Sequence, residues 1–139
     1  MYLVRLIYAS RISDGMSNQD IENILESARK NNRKENVTGV LLFNRNYFLQ
    51  CIEGSRSKVN QIYHKILNDQ RHQEIVILSY DEINKRDFSD WHMGYIPETA
   101  VTMPITQQFS SSEIFNPYEI SGASAHGLLL TLKEAIKTI

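Results

Sequence analysis

Only one cysteine, Cys51, stands in the 139-residue chain, so no disulfide can form within it. A reducing compartment, the cytoplasm, is the expected setting. An excess of one charge is missing as well. Fifteen Lys and Arg against sixteen Asp and Glu leave a formal net charge of −1, which announces no basic surface for nucleic acid. No stretch approaches the ~20 apolar residues that a membrane span needs. The N-terminal run Leu3, Val4, Arg5, Leu6, Ile7 is broken by a charge and too short for a signal peptide. Phosphate-binding glycine loops and the dinucleotide fingerprint are both absent. The four histidines, His64, His72, His92 and His126, lack Cys or Glu partners at ligand spacing, so no metal site is expected. No serine or cysteine nucleophile with a positioned base is visible either, which argues against an enzyme.

What is present is the material of one ordinary domain: 42% hydrophobic and 22% charged residues, enough to bury a single core. Residues 3–9 read as a strand, and Arg11 to Met16 as a loop. Ser17 and Asp20 form a capping box with Asp in the Glu position, ahead of Ile21, Ile24, Leu25 and Ala28 at helical spacing. That helix fades into the polar run Lys30–Lys34. Val37–Phe43 and Tyr47–Ile52, joined by the turn-like Asn44-Arg45-Asn46, read as a hairpin that Glu53-Gly54-Ser55 ends. A second helix spans about 58–68, and strands follow over 75–80 and 91–96. The first six elements match the ferredoxin-like pattern. The expected fold is therefore α+β, a five-stranded mixed sheet with two helices on one face. Residues 1–97 would form the domain and 98–139 a C-terminal helical extension. Residues 97–122 hold all three prolines, and Leu128, Leu129, Leu132 and Ile136 mark an amphipathic helix starting at Ser124.

The residues by themselves leave the chemistry open. Tyr8 and Gln50 fall on strands that this fold sets side by side. A buried, unpaired Gln50 would cost on the order of 1–3 kcal/mol, so the two side chains either satisfy each other or Gln50 faces water. Asn31 and Asn32 close the first helix, as a polar cap or as amides matching the imide edge of a heterocycle. Arg71-His72 reads as a solvated loop or a phosphate contact. Trp91 and Met93 are expected on one face of the fifth strand, with His92 on the other.

Taken together, Arg5-Leu6-Ile7-Tyr8, Asn31-Asn32, Val37-Thr38-Gly39-Val40-Leu41, Phe48-Leu49-Gln50, Glu53-Gly54, Asp69-Gln70-Arg71-His72 and Trp91-His92-Met93 resemble the BLUF domains, blue-light sensors using flavin. The resemblance runs from about Leu3 through Met93. It implies oxidised flavin, FAD or FMN, between the two helices, sandwiched by Ile24 and Ile66. Asn32, with Asn31 beside it, would meet the pyrimidine edge. Lys30, Lys65, Arg71 and His72 would lie near the phosphate end. It further implies switching rather than turnover: Tyr8 gives up an electron and a proton, Gln50 changes orientation or tautomer, and Trp91 and Met93 relay the change to residues 97–139. Nothing in the chain resembles an attached effector, so a downstream protein in trans is the expected partner, with a homo-oligomer the other contact to be considered. The competing readings are a non-photoactive binding module on the same fold and a small flavin redox enzyme or hydrolase.

Overall fold

A computed structural model describes residues 2–99, 102–111 and 114–138. The elements run β1 (Leu3–Ile12), α1 (Asn18–Lys34), β2 (Thr38–Phe43), β3 (Tyr47–Ser55), α2 (Arg56–Leu67), β4 (His72–Ile83), β5 (Gly94–Pro97), α3 (Met103–Gln108), a 3₁₀ turn at Pro117–Glu119 and α4 (Gly122–Thr138). The sheet order is β4-β1-β3-β2-β5. The first four strands pair antiparallel and β5 joins β2 in parallel, giving the ferredoxin-like α+β sheet with one added strand.

Local signals set the starts. Ser17 caps α1 through the full capping box: its side chain accepts from the Asp20 N–H while the Asp20 carboxylate accepts from the Ser17 N–H at 2.9 Å. The Asn44 side chain accepts from the N–H groups of Asn46 and Tyr47, both at 2.8 Å, and folds the hairpin turn between β2 and β3.

Tertiary pairing moves several boundaries. β1 extends through Arg11 and Ile12 instead of stopping at residue 9, because these residues pair with Gln73 and His72 of β4. β4 accordingly starts at His72 rather than 75, and His72 lies in a strand, not a loop. β3 runs on through Glu53, Gly54 and Ser55, which lie opposite Arg5, Val4 and Leu3. α1 continues past Asn31 and Asn32 to Lys34, so the two amides sit in its last turns. β5 begins only at Gly94, which leaves Trp91, His92 and Met93 in the loop ahead of it.

Strand alternation divides the core. Val4, Leu6, Leu41, Phe48 and Ile52 face α1 and α2, where Ile24, Leu25, Val59 and Ile62 cover them. Ile7, Val40, Leu42, Leu49 and Cys51 face the other way, under Leu128, Leu129 and Leu132 of α4. Each of those three leucines is fully buried, and covering them removes about 1.5–3 kcal/mol of unfavourable exposure apiece. The C-terminal helix is therefore the second cover of the sheet. Trp91 and Met93 do not share a face: Trp91 packs into the α4 layer and Met93 into the layer of α1 and α2. The irregular loop backbone frees them from strand alternation.

Candidate functional site

The first helical layer holds a cleft of about 610 Å³, its open mouth included. α1 supplies Ile24, Ser27, Ala28, Asn31 and Asn32, and α2 supplies Ile62, Lys65 and Ile66. Leu41 of β2 and Gln50 of β3 line the sheet side, with Asp69, Arg71 and His72 closing one end. The mixture of apolar walls with a few convergent polar groups is the usual make-up of a small-molecule or cofactor site.

Of the eight residues expected around a cofactor, seven, Ile24, Asn31, Asn32, Lys65, Ile66, Arg71 and His72, line this cleft. Lys30 does not. It lines a separate depression on the outer face of α1 with Glu26, Arg29, Arg33 and Lys34. Ser27, Ala28, Leu41, Ile62 and Asp69 were not singled out as site residues. Ala28 and Ile62 lie on the apolar helical faces legible in the sequence, while Leu41 and Asp69 fall within the short motifs that carry the family resemblance.

Tyr8 and Gln50 lie directly opposite each other in the β1–β3 register. The register of β1 against β4 slips between Ile7 and Tyr8 and again between Ala9 and Arg11, so Tyr8 lies between two breaks in the ladder. Tyr8 is fully buried and its hydroxyl donates to Gln50 Oε1. Burial pushes the phenol pKa far up, with Tyr63 and then Asp69 adding to it, so Tyr8 keeps its proton and acts as a donor. The Gln50 amide nitrogen then points toward Met93 Sδ at 3.5 Å, a weak acceptor. One buried amide thus joins the Tyr8 hydroxyl to the loop before β5.

The rest of the cleft is equally specific. Asn32 is 1% exposed, and its Nδ2 donates to the His92 carbonyl at 2.7 Å. Asn32 also lines the cleft, and its backbone carbonyl accepts from the Val37 N–H at 2.8 Å. His72 packs on Phe48 with ring centroids 4.9 Å apart and meets Ser10 Oγ through Nδ1 at 3.0 Å. Burial lowers its pKa to about 4, against a smaller upward pull from Asp69, so the ring is neutral at neutral pH. Asp69 and Arg71 pair through Nε and Nη2, the latter at 2.6 Å, and Arg71 holds the carboxyl of Asp69 below its ordinary range.

Comparison with known proteins decides among the readings. The family model for BLUF, sensors of blue-light using FAD, matches residues 3–94. This chain belongs to the BLUF family. The blue light- and temperature-regulated antirepressor BluF of Escherichia coli (strain K12) is 41% identical over 86 residues, which is 62% of this chain and 21% of that protein. The photoactivated adenylate cyclase subunit alpha of Euglena gracilis is 34% identical over 84 residues, 60% of this chain and 8% of that one. The chain therefore spans about a fifth or less of these curated relatives. Among solved structures, the BlsA photo-activated state superposes with a TM-score of 0.85 at 31% identity, covering 94% of each chain. The BLUF protein BlrB in its dark state gives 0.78 at 30% identity over 98% of this chain and 97% of that one. As a BLUF domain the chain is a blue-light sensor of the flavin-binding class. The cleft suits that class, with apolar walls from Ile24, Leu41, Ile62 and Ile66 for a planar ring and side-chain amides from Asn31, Asn32 and Gln50 beside them. No described helix is long and apolar enough to cross a membrane.

Proposed function

We propose that this BLUF domain works as a light-driven hydrogen-bond switch centred on Tyr8 and Gln50, and that it signals to a separate protein rather than catalysing a reaction. The observation that carries the proposal is the placement of the Gln50 amide, which accepts from the buried Tyr8 hydroxyl and at the same time contacts Met93 in the loop before β5.

Flavin, when bound, supplies absorption of blue light and an excited state that withdraws an electron. Ile24 and Ile66 would sandwich the ring, Asn31 and Asn32 would meet its imide edge, and Lys65, Arg71 and His72 would lie toward the phosphates. The description of the matching family model, sensors of blue-light using FAD, supports FAD over FMN. Tyr8 is suited to give up an electron and then its proton along the hydrogen bond to Gln50 Oε1. An amide carries a donor and an acceptor at opposite ends, so rotation or tautomerisation of Gln50 reverses the pattern it presents. After such a reversal the group facing Met93 is no longer the one that faced it before, and the loop holding Trp91 and Met93 shifts between two arrangements.

Residues 98–139, as a helical extension, would carry the change outward. The E. coli relative is a light-regulated antirepressor, and by that likeness the output of this chain would be contact with a partner protein in trans. The deciding experiment is the absorption spectrum of the purified protein before and after blue light. Reversible displacement of intact flavin bands to the red is expected, and Tyr8→Phe should keep flavin bound but abolish the displacement. A normal photocycle in Tyr8→Phe overturns the mechanism, and a colourless protein that takes up no added flavin overturns the sensor reading.

A further inference from the structure

The loop between β4 and β5 is fastened at successive residues. The Arg86 guanidinium donates to Thr38 Oγ1 at 2.9 Å, to the Glu53 carbonyl at 3.1 Å and to the Asn36 carbonyl at 2.8 Å. The backbone N–H groups of Asp87 and Phe88 donate to Glu53 Oε1 at 3.0 and 2.8 Å. Further on, the Trp91 carbonyl accepts from the Gly39 N–H at 2.8 Å, and the Met93 carbonyl accepts from Arg29 Nε at 3.1 Å.

Glu53 stands out in this set. It is 0% exposed, and it lies on β3 three residues from Gln50, on the opposite face of the sheet. A buried carboxylate is costly unless it is paired and hydrogen-bonded. Here the pairing is complete, because Glu53 Oε2 also accepts from Arg5 Nε at 2.9 Å. Arg5 Nη2 in turn reaches Asp87 Oδ2 at 2.6 Å. The same Asp87 oxygen meets His126 Nε2 of α4 at 2.8 Å, and the Asp87 carbonyl accepts from Lys133 Nζ, also of α4. Lys133 Nζ lies 5.6 Å from the centre of the buried Phe88 ring. Asp87 is thus held by β1 and α4 through its carboxylate and by β3 through its N–H.

We propose that Glu53 is a positioning residue that fixes the segment 86–93 against β3, and that through Asp87 it couples the Gln50–Met93 contact on one face of the sheet to the seating of α4 on the other. The proposal rests on the light-switch reading above and adds the connection that reading lacks. Gln50 and Glu53 share one rigid strand but touch opposite ends of the same loop. When Met93 shifts, the loop is held by Glu53 at its far end, so displacement passes into Asp87 and Phe88, both of which touch α4. Met93 belongs to the layer of α1 and α2, while Phe88 belongs to the α4 layer, so the segment between them passes from one layer to the other.

Amide hydrogen exchange in the dark and under blue light, with the absorption spectrum recorded on the same samples, tests this. In the full chain with flavin bound, illumination is expected to raise exchange in residues 122–138. Glu53→Gln, which removes the charge but keeps the shape, is expected to keep the red shift and to cut that light-dependent difference at least twofold. The double variant His126→Ala/Lys133→Met leaves the buried carboxylate intact and disconnects α4 from Asp87. It is expected to give the same separation, and it carries the test if Glu53→Gln fails to fold. A light-dependent difference of wild-type size in α4 in a folded variant overturns the proposal, as does its absence in a wild-type protein that shows the red shift. A wild-type protein with bound flavin and no red shift removes the light-switch reading itself, and the proposal falls with it.

Discussion

Tyr8→Phe tests the central hydrogen bond in a way that needs no light. Tyr8 is fully buried and Gln50 is 5% exposed, so water cannot replace the hydroxyl that donates to Gln50 Oε1. The substitution leaves a buried amide oxygen without a donor, a loss of about 1–3 kcal/mol. For a 139-residue chain unfolding with about 2.1 cal/mol/K per residue, that is a fall of roughly 3–10 °C in Tm. Gln50→Leu should cost a similar amount for the converse reason, since it strands the Tyr8 hydroxyl in the core. The informative variant is the double, Tyr8→Phe/Gln50→Leu. With both polar groups gone no partner is left unsatisfied, so the double should be more stable than the sum of the two losses predicts, by about 1–3 kcal/mol. Urea unfolding followed by circular dichroism, in the dark and at equal flavin occupancy, measures the cycle. Equal occupancy matters because a ligand bound only to the folded state adds its own stabilisation. Losses that add to within about 0.5 kcal/mol would refute the pairing.

His72 sets a pH dependence. Its pKa is lowered by burial to about 4 in the folded protein from 6.5, so the unfolded chain takes up a proton between those values that the folded one refuses. Its contribution is full above pH 6.5 and is lost as the pH falls toward 4, amounting to about 2 kcal/mol less stability at pH 5. His72→Gln, measured by thermal unfolding across that range, should flatten the slope relative to wild type, and parallel curves would contradict the assignment. At Gly94 an added Cβ would lie 2.3 Å from the Trp91 ring, so Gly94→Ala must displace it. Trp91 is the one tryptophan of the chain, and its fluorescence emission should shift to the red, while an unchanged spectrum would mean that the ring does not sit over Gly94.

The features legible in the sequence are those whose physics is local. The capping box at Ser17 and Asp20, the apolar stripes of α1 and α2, the Asn44 turn and the leucines of α4 each depend on residues within a few positions of one another, so spacing alone exposes them. The order of elements that they punctuate was enough for the ferredoxin-like arrangement, and that arrangement sets Tyr8 beside Gln50 once β1 and β3 are neighbours. The residues by themselves left open whether that pair was functional, and only the combination of short motifs along residues 3–93 pointed to a flavin sensor.

The rest was decided by contacts between distant parts of the chain. The extensions of β1 and β4 come from pairing Arg11 with Gln73 and Ile12 with His72, some sixty residues apart, and no periodicity within either segment encodes that partner. Trp91 and Met93 alternate by position, yet they enter opposite layers because the loop is shaped by anchors from α1, β2 and β3. In the sequence Glu53 reads as the polar end of a strand. Folding makes it a buried charge by bringing Arg5 and Asp87 to it, and α4 completes the cluster with His126 and Lys133. Helices and strands were readable as segments because amphipathic spacing and capping repeat within a few residues. Which charges are buried and what each loop touches could not be read that way, because burial belongs to the assembled surfaces and not to any one stretch of chain.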